Sequence, residues 1–201
     1  YFLASDVPAF LEHTNQITVL DDDEMVIISS KPVIKKISTG EEISKSVTTV
    51  DWDIKQAEKG EHPHFTLKEI HEQPLVLKQT LRQNRKKLEQ VARMINSAPR
   101  VCIVGSGTSR HASLVGRYVI AELTKKYCEV YMASEFQYFV EKLGKDTLII
   151  AVSQSGETAD VLIPIRQAKQ HGCKVVSVVN VVGSSLDRES DVSLYLNTGP
   201  E

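Results

Sequence analysis

The chain has 201 residues, with 24 Lys and Arg against 26 Asp and Glu and a formal net charge of −2. Hydrophobic residues make up 41%, which excludes wholesale disorder and supplies a core for one large or two small domains. The near-neutral balance gives no reason to expect nucleic acid or an anionic membrane as partner, and no apolar run reaches the ~20 residues that span a bilayer.

The opening stretch, "YFLASDVPAF", lacks Met and the basic region of a secretory signal and reads as internal to a longer protein. Residues 1–50 carry short β-like runs, "ITVL" (17–20), "MVIIS" (25–29) and "PVIKKI" (32–37). The acidic "LDDDEM" between the first two reads as a solvated hairpin tip rather than a metal-binding cluster. Residues 51–65 are polar and read as a linker. His62 and His64 stand two apart there with no third ligand in view, so no metal is expected.

"TLKEIHEQ" is helical as far as Pro74, which disfavours helix at the residue before it. Leu77, Leu81, Leu88, Val91 and Ile95 then form one apolar stripe, which predicts a single helix over 77–97 stopped by Pro99. The basic "RQNRKK" is the solvated face of that helix.

From residue 100 the pattern changes. Five apolar, β-branched runs follow: "RVCIVG" (100–105), "CEVYMA" (128–133), "DTLIIAVS" (146–153), "CKVVSVVN" (173–180) and "DVSLYLN" (191–197). Most are nearly continuous rather than alternating, as in strands buried on both faces. Helix-like stretches lie between them at 109–126, 134–143, 157–171 (with Pro164 inside) and 184–190. The fold class is therefore α/β, a three-layer αβα sandwich with a five-stranded parallel sheet, preceded by a short β-rich remnant. Cys102, Cys128 and Cys173 form no CxxC pair and read as small core residues in a reducing, cytoplasmic setting.

The first and third of these strands end in "GSGTSRHA" (105–112) and "SQSGET" (153–158). Both are strand-to-helix turns rich in Ser, Thr and Gly. Glycine lets backbone approach a ligand, and free N–H groups at a helix start favour an anion. Neither turn has a Walker lysine or a GxGxxG fingerprint, so neither a P-loop nor a dinucleotide cofactor is expected. One such loop alone reads equally well as a helix cap. In an open doubly wound sheet ordered 2-1-3-4-5 the first and third strands are neighbours at the topological switch point, so the two loops would converge on one crevice and point to a bound phosphate.

These two motifs resemble the phosphate loops of sugar isomerase (SIS) domains. "HFTLKEIHEQP", "VGSSLDRESD", "TGPE" and the opening "YFLASDVPAF" extend the resemblance, in order, to the glutamine–fructose-6-phosphate aminotransferase family. Its members join a glutaminase domain to an isomerase half made of two SIS domains. The resemblance implies that residues 1–50 end a glutaminase-like domain, 51–75 link the domains and 76–201 form the first SIS domain.

It also implies phosphate ligands at Ser109, Ser153, Gln154 and Thr158. Gly107 and Thr108 would line the sugar, and Ser155, Gly156 and Glu157 would shape the second loop. Ser106 stands where many members carry Cys, and Arg110 where many carry Tyr. His111, on the first turn of a helix, is expected to pack or cap rather than act as a base.

The implied parent makes glucosamine 6-phosphate from fructose 6-phosphate and glutamine, toward UDP-N-acetylglucosamine. It would be a cytoplasmic homodimer paired through its isomerase halves, with no metal. This stretch would hold the phosphosugar without making bonds. The family's N-terminal cysteine nucleophile has no counterpart before Cys102, and a second SIS domain would follow Glu201, so the stretch alone is expected to be inactive. The other readings are a phosphosugar-sensing regulatory SIS module, which a lack of any basic recognition helix in residues 1–60 disfavours, and a stand-alone phosphosugar isomerase, which the glutaminase-like segment disfavours.

Overall fold

A computed structural model describes residues 1–4, 7–10, 12–50 and 59–199. The expected linker lies outside the described residues over 51–58, as does the end of "TGPE" at 200–201. The chain divides into two compact units, Tyr1–Ile70 and His71–Thr198.

In the first unit β1 (Gln16–Ile17) pairs antiparallel with β5 (Thr48–Thr49). Strands β2 (Glu24–Ile27), β3 (Val33–Lys36) and β4 (Glu42–Ile43) form an antiparallel sheet in that order. The acidic run is not the hairpin tip expected, because β1 and β2 belong to different sheets. Its charges are used locally instead. Lys45 Nζ pairs with Asp21 Oδ2 at 2.7 Å and Glu24 Oε2 at 2.6 Å, and Asp23 accepts from the Ser38 N–H at 3.0 Å.

Two helices, α1 (Phe65–Thr80) and α2 (Arg85–Ser97), occupy the stretch expected to be one helix over 77–97. Two expectations fail here. The helix does not end before Pro74 but passes through it, losing one N–H and so one bond to the turn before. The apolar stripe is interrupted at residues 81–84, where Asn84 Oδ1 accepts from the N–H groups of Lys86 (3.0 Å) and Lys87 (3.4 Å) and starts a new helix. Leu81 is 82% exposed, so spacing alone did not bury it. Val91 is buried, and Ala98, before Pro99, is extended and ends α2 as expected.

Residues 100–195 form the expected parallel sheet. Its strands are β6 (Arg100–Gly105), β7 (Cys128–Met132), β8 (Thr147–Val152), β9 (Lys174–Val179) and β10 (Val192–Tyr195), in the spatial order β10-β9-β8-β6-β7. Every pairing is parallel. The connections are α3 (Gly107–Thr124), α4 (Ala133–Phe136) with a short 3-10 turn at Val140–Lys142, α5 (Ala159–Gln170) and α6 (Ser185–Glu189).

Side chains alternate between two cores. Val104, Ile149, Ala151 and Val175 face Phe136, Ile165 and Leu186. Leu148 and Val176 face Val91, and Val101, Ile103 and Ile150 pack with Ile95 and Ile120. Both faces of the strands are therefore apolar, which is why their sequences read as unbroken runs.

At the β10 edge, side chains from α1, α2 and the turn between them take strand carbonyls. Thr80 Oγ1 donates to Leu196 O, Gln83 Nε2 to Tyr195 O, and Lys87 Nζ to Ser193 O at 3.2 Å.

Candidate functional site

Strands β6 and β8 are hydrogen-bonded neighbours in register from Arg100↔Thr147 to Gly105↔Val152. Their carboxyl ends therefore release two loops side by side, and the helices that follow, α3 and α5, begin at one crevice. This is the switch point of the sheet. A cleft of about 180 Å³ opens there, lined by Ser106, Ser109, Val152, Ser153, Gln154, Ser155, Thr158 and Val161.

Two glycines make the geometry possible. A Cβ on Gly105 would sit 3.2 Å from Arg110 N and 3.3 Å from Val152 O, so a side chain there would crowd the first turn of α3 against the strand ends. Gly156 has φ +68°, and a Cβ there would lie 2.7 Å from Ser184 Cβ. Both its backbone angle and its surroundings require glycine.

Hydroxyl groups dominate the walls. Ser106 and Thr158 are the N-cap residues of α3 and α5, and neither makes a side-chain cap bond. Their oxygens and the first N–H groups of two helices therefore remain available to an anion. Ser153 Oγ, buried, accepts from the Gly156 N–H at 3.2 Å and lies 3.2 Å from Thr158 Oγ1. Ser155 Oγ accepts from the Glu157 N–H at 3.2 Å. Ser155 Oγ keeps its proton to donate, whereas one hydroxyl of the Ser153–Thr158 pair gives its proton to the other, so that pair offers a ligand one proton. Gln154 is held by its carbonyl, which accepts from Asn180 N at 2.9 Å.

None of the residues lining the cleft titrates or carries charge. The site can hold and orient an anion through neutral donors and two helix dipoles, but its walls offer no general acid or base.

Of the residues singled out in the sequence, Ser106, Ser109, Ser153, Gln154, Ser155 and Thr158 meet in this cleft. Gly107 and Thr108 lie exposed on the first turn of α3 and do not line it, and Gly156 forms the back of the second loop. His111 is exposed, and Arg110 is partly covered with its Nε buried and unpartnered. Val152 and Val161 were not foreseen. They are apolar residues at a strand end and on a helix turn, and nothing in their type marks them as lining a polar cleft.

The three cysteines are buried and free. Burial pushes the Cys102 thiol up to about 12 and Cys128 up to about 11, which leaves both inert at neutral pH.

Comparison with known proteins decides the family. Residues 94–201 match the family model described as the SIS domain. The chain belongs to the SIS domain family. Across its whole length it is 48% identical to glutamine–fructose-6-phosphate aminotransferase (isomerizing) of Thermococcus kodakarensis, of which it covers 34%. The chain thus spans about a third of the length of the curated relatives it matches.

Among solved structures, the C-terminal domain of glucosamine-fructose-6-phosphate aminotransferase from Francisella tularensis aligns with a TM-score of 0.64 at 34% identity. That alignment covers 72% of this chain and 42% of the other. The Vibrio vulnificus NanR protein complexed with ManNAc-6P shares the fold with a TM-score of 0.54 at 23% identity, over 71% of this chain and 53% of that one. Among the described residues no helix is long and apolar enough to cross a membrane.

Proposed function

We propose that this SIS domain is the phosphosugar-holding part of a glutamine–fructose-6-phosphate aminotransferase, an enzyme that makes glucosamine 6-phosphate from fructose 6-phosphate and glutamine. The observation that carries the reading is the cleft between the starts of α3 and α5, with neither cap hydroxyl bonded to its own helix and no charged side chain in its walls. Identity of 48% to the aminotransferase over the whole chain supplies the parent reaction.

In this reading Ser109, Ser153, Gln154 and Thr158 hold the phosphate, with Ser106 and Ser155 on the rim. Gly107 and Thr108 face the sugar, and Gly156 shapes the loop. The cleft of about 180 Å³ is smaller than the roughly 300–1,000 Å³ of pockets that enclose drug-sized ligands. It accommodates the phosphate end and leaves the sugar carbons toward its mouth. The chain's contribution is positioning, and the groups that move protons come from elsewhere in the longer enzyme.

Residues 1–50 are then the end of a glutaminase-like domain, 51–75 the linker and 76–201 the first SIS domain. The parent is cytoplasmic and pairs as a homodimer through its isomerase half.

Calorimetry on the 201-residue chain tests this. Fructose 6-phosphate binds and fructose does not. Ser153→Ala and Thr158→Ala each weaken binding about tenfold, because a hydrogen bond to a charged group contributes ~1.5–3 kcal/mol and ~1.4 kcal/mol is a factor of ten. The chain alone yields no glucosamine 6-phosphate in a coupled assay. Equal binding of fructose, or undiminished binding by both variants, overturns the phosphate cradle.

A further inference from the structure

Glu157 sits in the middle of the anion-binding loop, where a second negative charge opposes the ligand. Its carboxylate has another place to be. Helix α6 begins at Ser184, which has the extended backbone of an N-cap but makes no side-chain cap bond. Ser184 is 3% exposed, and its Oγ has no hydrogen-bond partner. The free N–H groups of the first two helical residues are taken from outside the helix instead. Ser185 N donates to Glu157 Oε1 at 2.7 Å, and Leu186 N donates to Gly156 O at 3.0 Å. The phosphate loop itself therefore caps α6.

Helix α6 is in turn fixed to the rest of the sheet. Leu186 is fully buried. Asp187 accepts from the Tyr195 hydroxyl at 3.1 Å and from the Gly183 N–H at 2.7 Å. Glu189 pairs with Arg166 of α5 at 3.0 Å. On the cleft side, the Gly156 N–H is bound to Ser153 Oγ, which touches Thr158 Oγ1. A continuous set of bonds thus runs from the anchored helix, through residues 156 and 157, to the hydroxyls facing the cleft.

We propose that Glu157 is a positioning residue of the phosphate cradle: its carboxylate caps α6 and so holds the 153–158 loop in its anion-binding shape. The like charge is tolerated in an anion loop because a helix start neutralises it. The inference rests on the phosphosugar reading above.

The experiment uses the full 201-residue chain as wild type, Glu157→Gln and Glu157→Ala. Fructose 6-phosphate and inorganic phosphate are titrated by calorimetry, and amide exchange at Leu186 and Gly156 is followed by NMR. Glu157→Ala weakens both ligands by roughly three- to tenfold, the size of a lost helix cap, and speeds exchange at those amides by a similar factor. Protection of Ile103 and Ile149 in the central strands stays as in wild type, which separates a local effect from a folding defect. Glu157→Gln keeps the acceptor and removes the charge, so it binds at least as tightly as wild type and keeps its amides protected.

The proposal is overturned if the alanine variant matches wild type in affinity and exchange. It is also overturned if the glutamine variant loses as much as alanine, which would make the carboxylate a direct ligand or base. If wild type binds neither phosphate compound, the phosphosugar reading fails. The exchange comparison then still judges the clamp, which stands if only alanine frees the Leu186 amide and falls if all three chains exchange alike.

Discussion

Replacing Gly156 with alanine tests how the second loop is built. The new Cβ meets two obstacles: a φ of +68° and the Ser184 side chain with its Cβ 2.7 Å away, while Val179 Cγ1 at 3.4 Å is in ordinary contact. A left-handed backbone angle costs an L-residue ~1–2 kcal/mol, and forcing a methyl group into packed surroundings costs ~1–3 kcal/mol. The sum is about 2–5 kcal/mol. For a chain of this length each kcal/mol lowers Tm by ~2–4 °C, so a fall of about 10 °C is expected.

The second half of the test uses Ser184, whose Oγ has no hydrogen bond to lose. Ser184→Gly removes the atoms that collide and costs only the ~0.5–1 kcal/mol of an added glycine. In that background Gly156→Ala should cost only the backbone part. Thermal and urea unfolding of the four proteins gives a coupling energy of about 1–3 kcal/mol between the two sites. If alanine at 156 costs the same in both backgrounds, the close contact is not what excludes a side chain there. A fall in Tm of under about 2 °C would defeat both halves of the reasoning.

Two further outcomes follow from buried and paired groups. The thiols of Cys102, Cys128 and Cys173 are held above their usual range by burial, so the native chain should give no thiol titre with a disulfide reagent at pH 8 and three thiols once unfolded; a native titre of one within minutes contradicts this. Although burial opposes ionisation of Asp191, its bonds to the Val175 N–H at 2.8 Å and Lys174 Nζ at 3.0 Å hold its carboxyl below the usual value, so its stabilisation is present above the unfolded carboxylate value of ~3.9 and is lost as pH falls through the lower folded one. Asp191→Asn should therefore lower Tm at pH 7 and match wild type in strong acid, and a Tm difference that does not vary with pH would refute the pairing.

The parallel sheet was legible because strands covered on both faces have no polar side to show. "RVCIVG" and "DTLIIAVS" could be little else, and once the order 2-1-3-4-5 is assumed their loops meet at a switch point. The hydroxyl-rich loops were legible for a related reason: polar residues placed directly after buried strands have few structural uses. The helical arm was misread because Leu77 and Leu81 continue the spacing of a stripe that solvent, not the core, receives. Only the cap made by Asn84 reveals the break, and Asn is common in many settings. Strands β4 and β5, two residues each, exist through pairing with partners and carry almost no pattern of their own. The resemblance implied that Glu157 shapes the second loop, but its bond to the Ser185 N–H was hidden because that partner lies 28 residues away.

The bonds along β10 bear on how the molecule behaves among its own copies. The last strand of an open sheet presents a row of carbonyls and N–H groups that another chain can extend. Here the carbonyls of Ser193 and Tyr195, and that of Leu196 just past the strand, are already engaged by Lys87, Gln83 and Thr80, and the Lys87 ammonium also lies 4.7 Å above the Tyr195 ring. A segment made more than a hundred residues earlier thus acts as a stopper on β10. Until that stopper seats, a newly made chain would expose a ready template for fibre growth. Once it seats, those carbonyls are no longer offered to another strand, so the arm guards the acceptors at this end of the sheet.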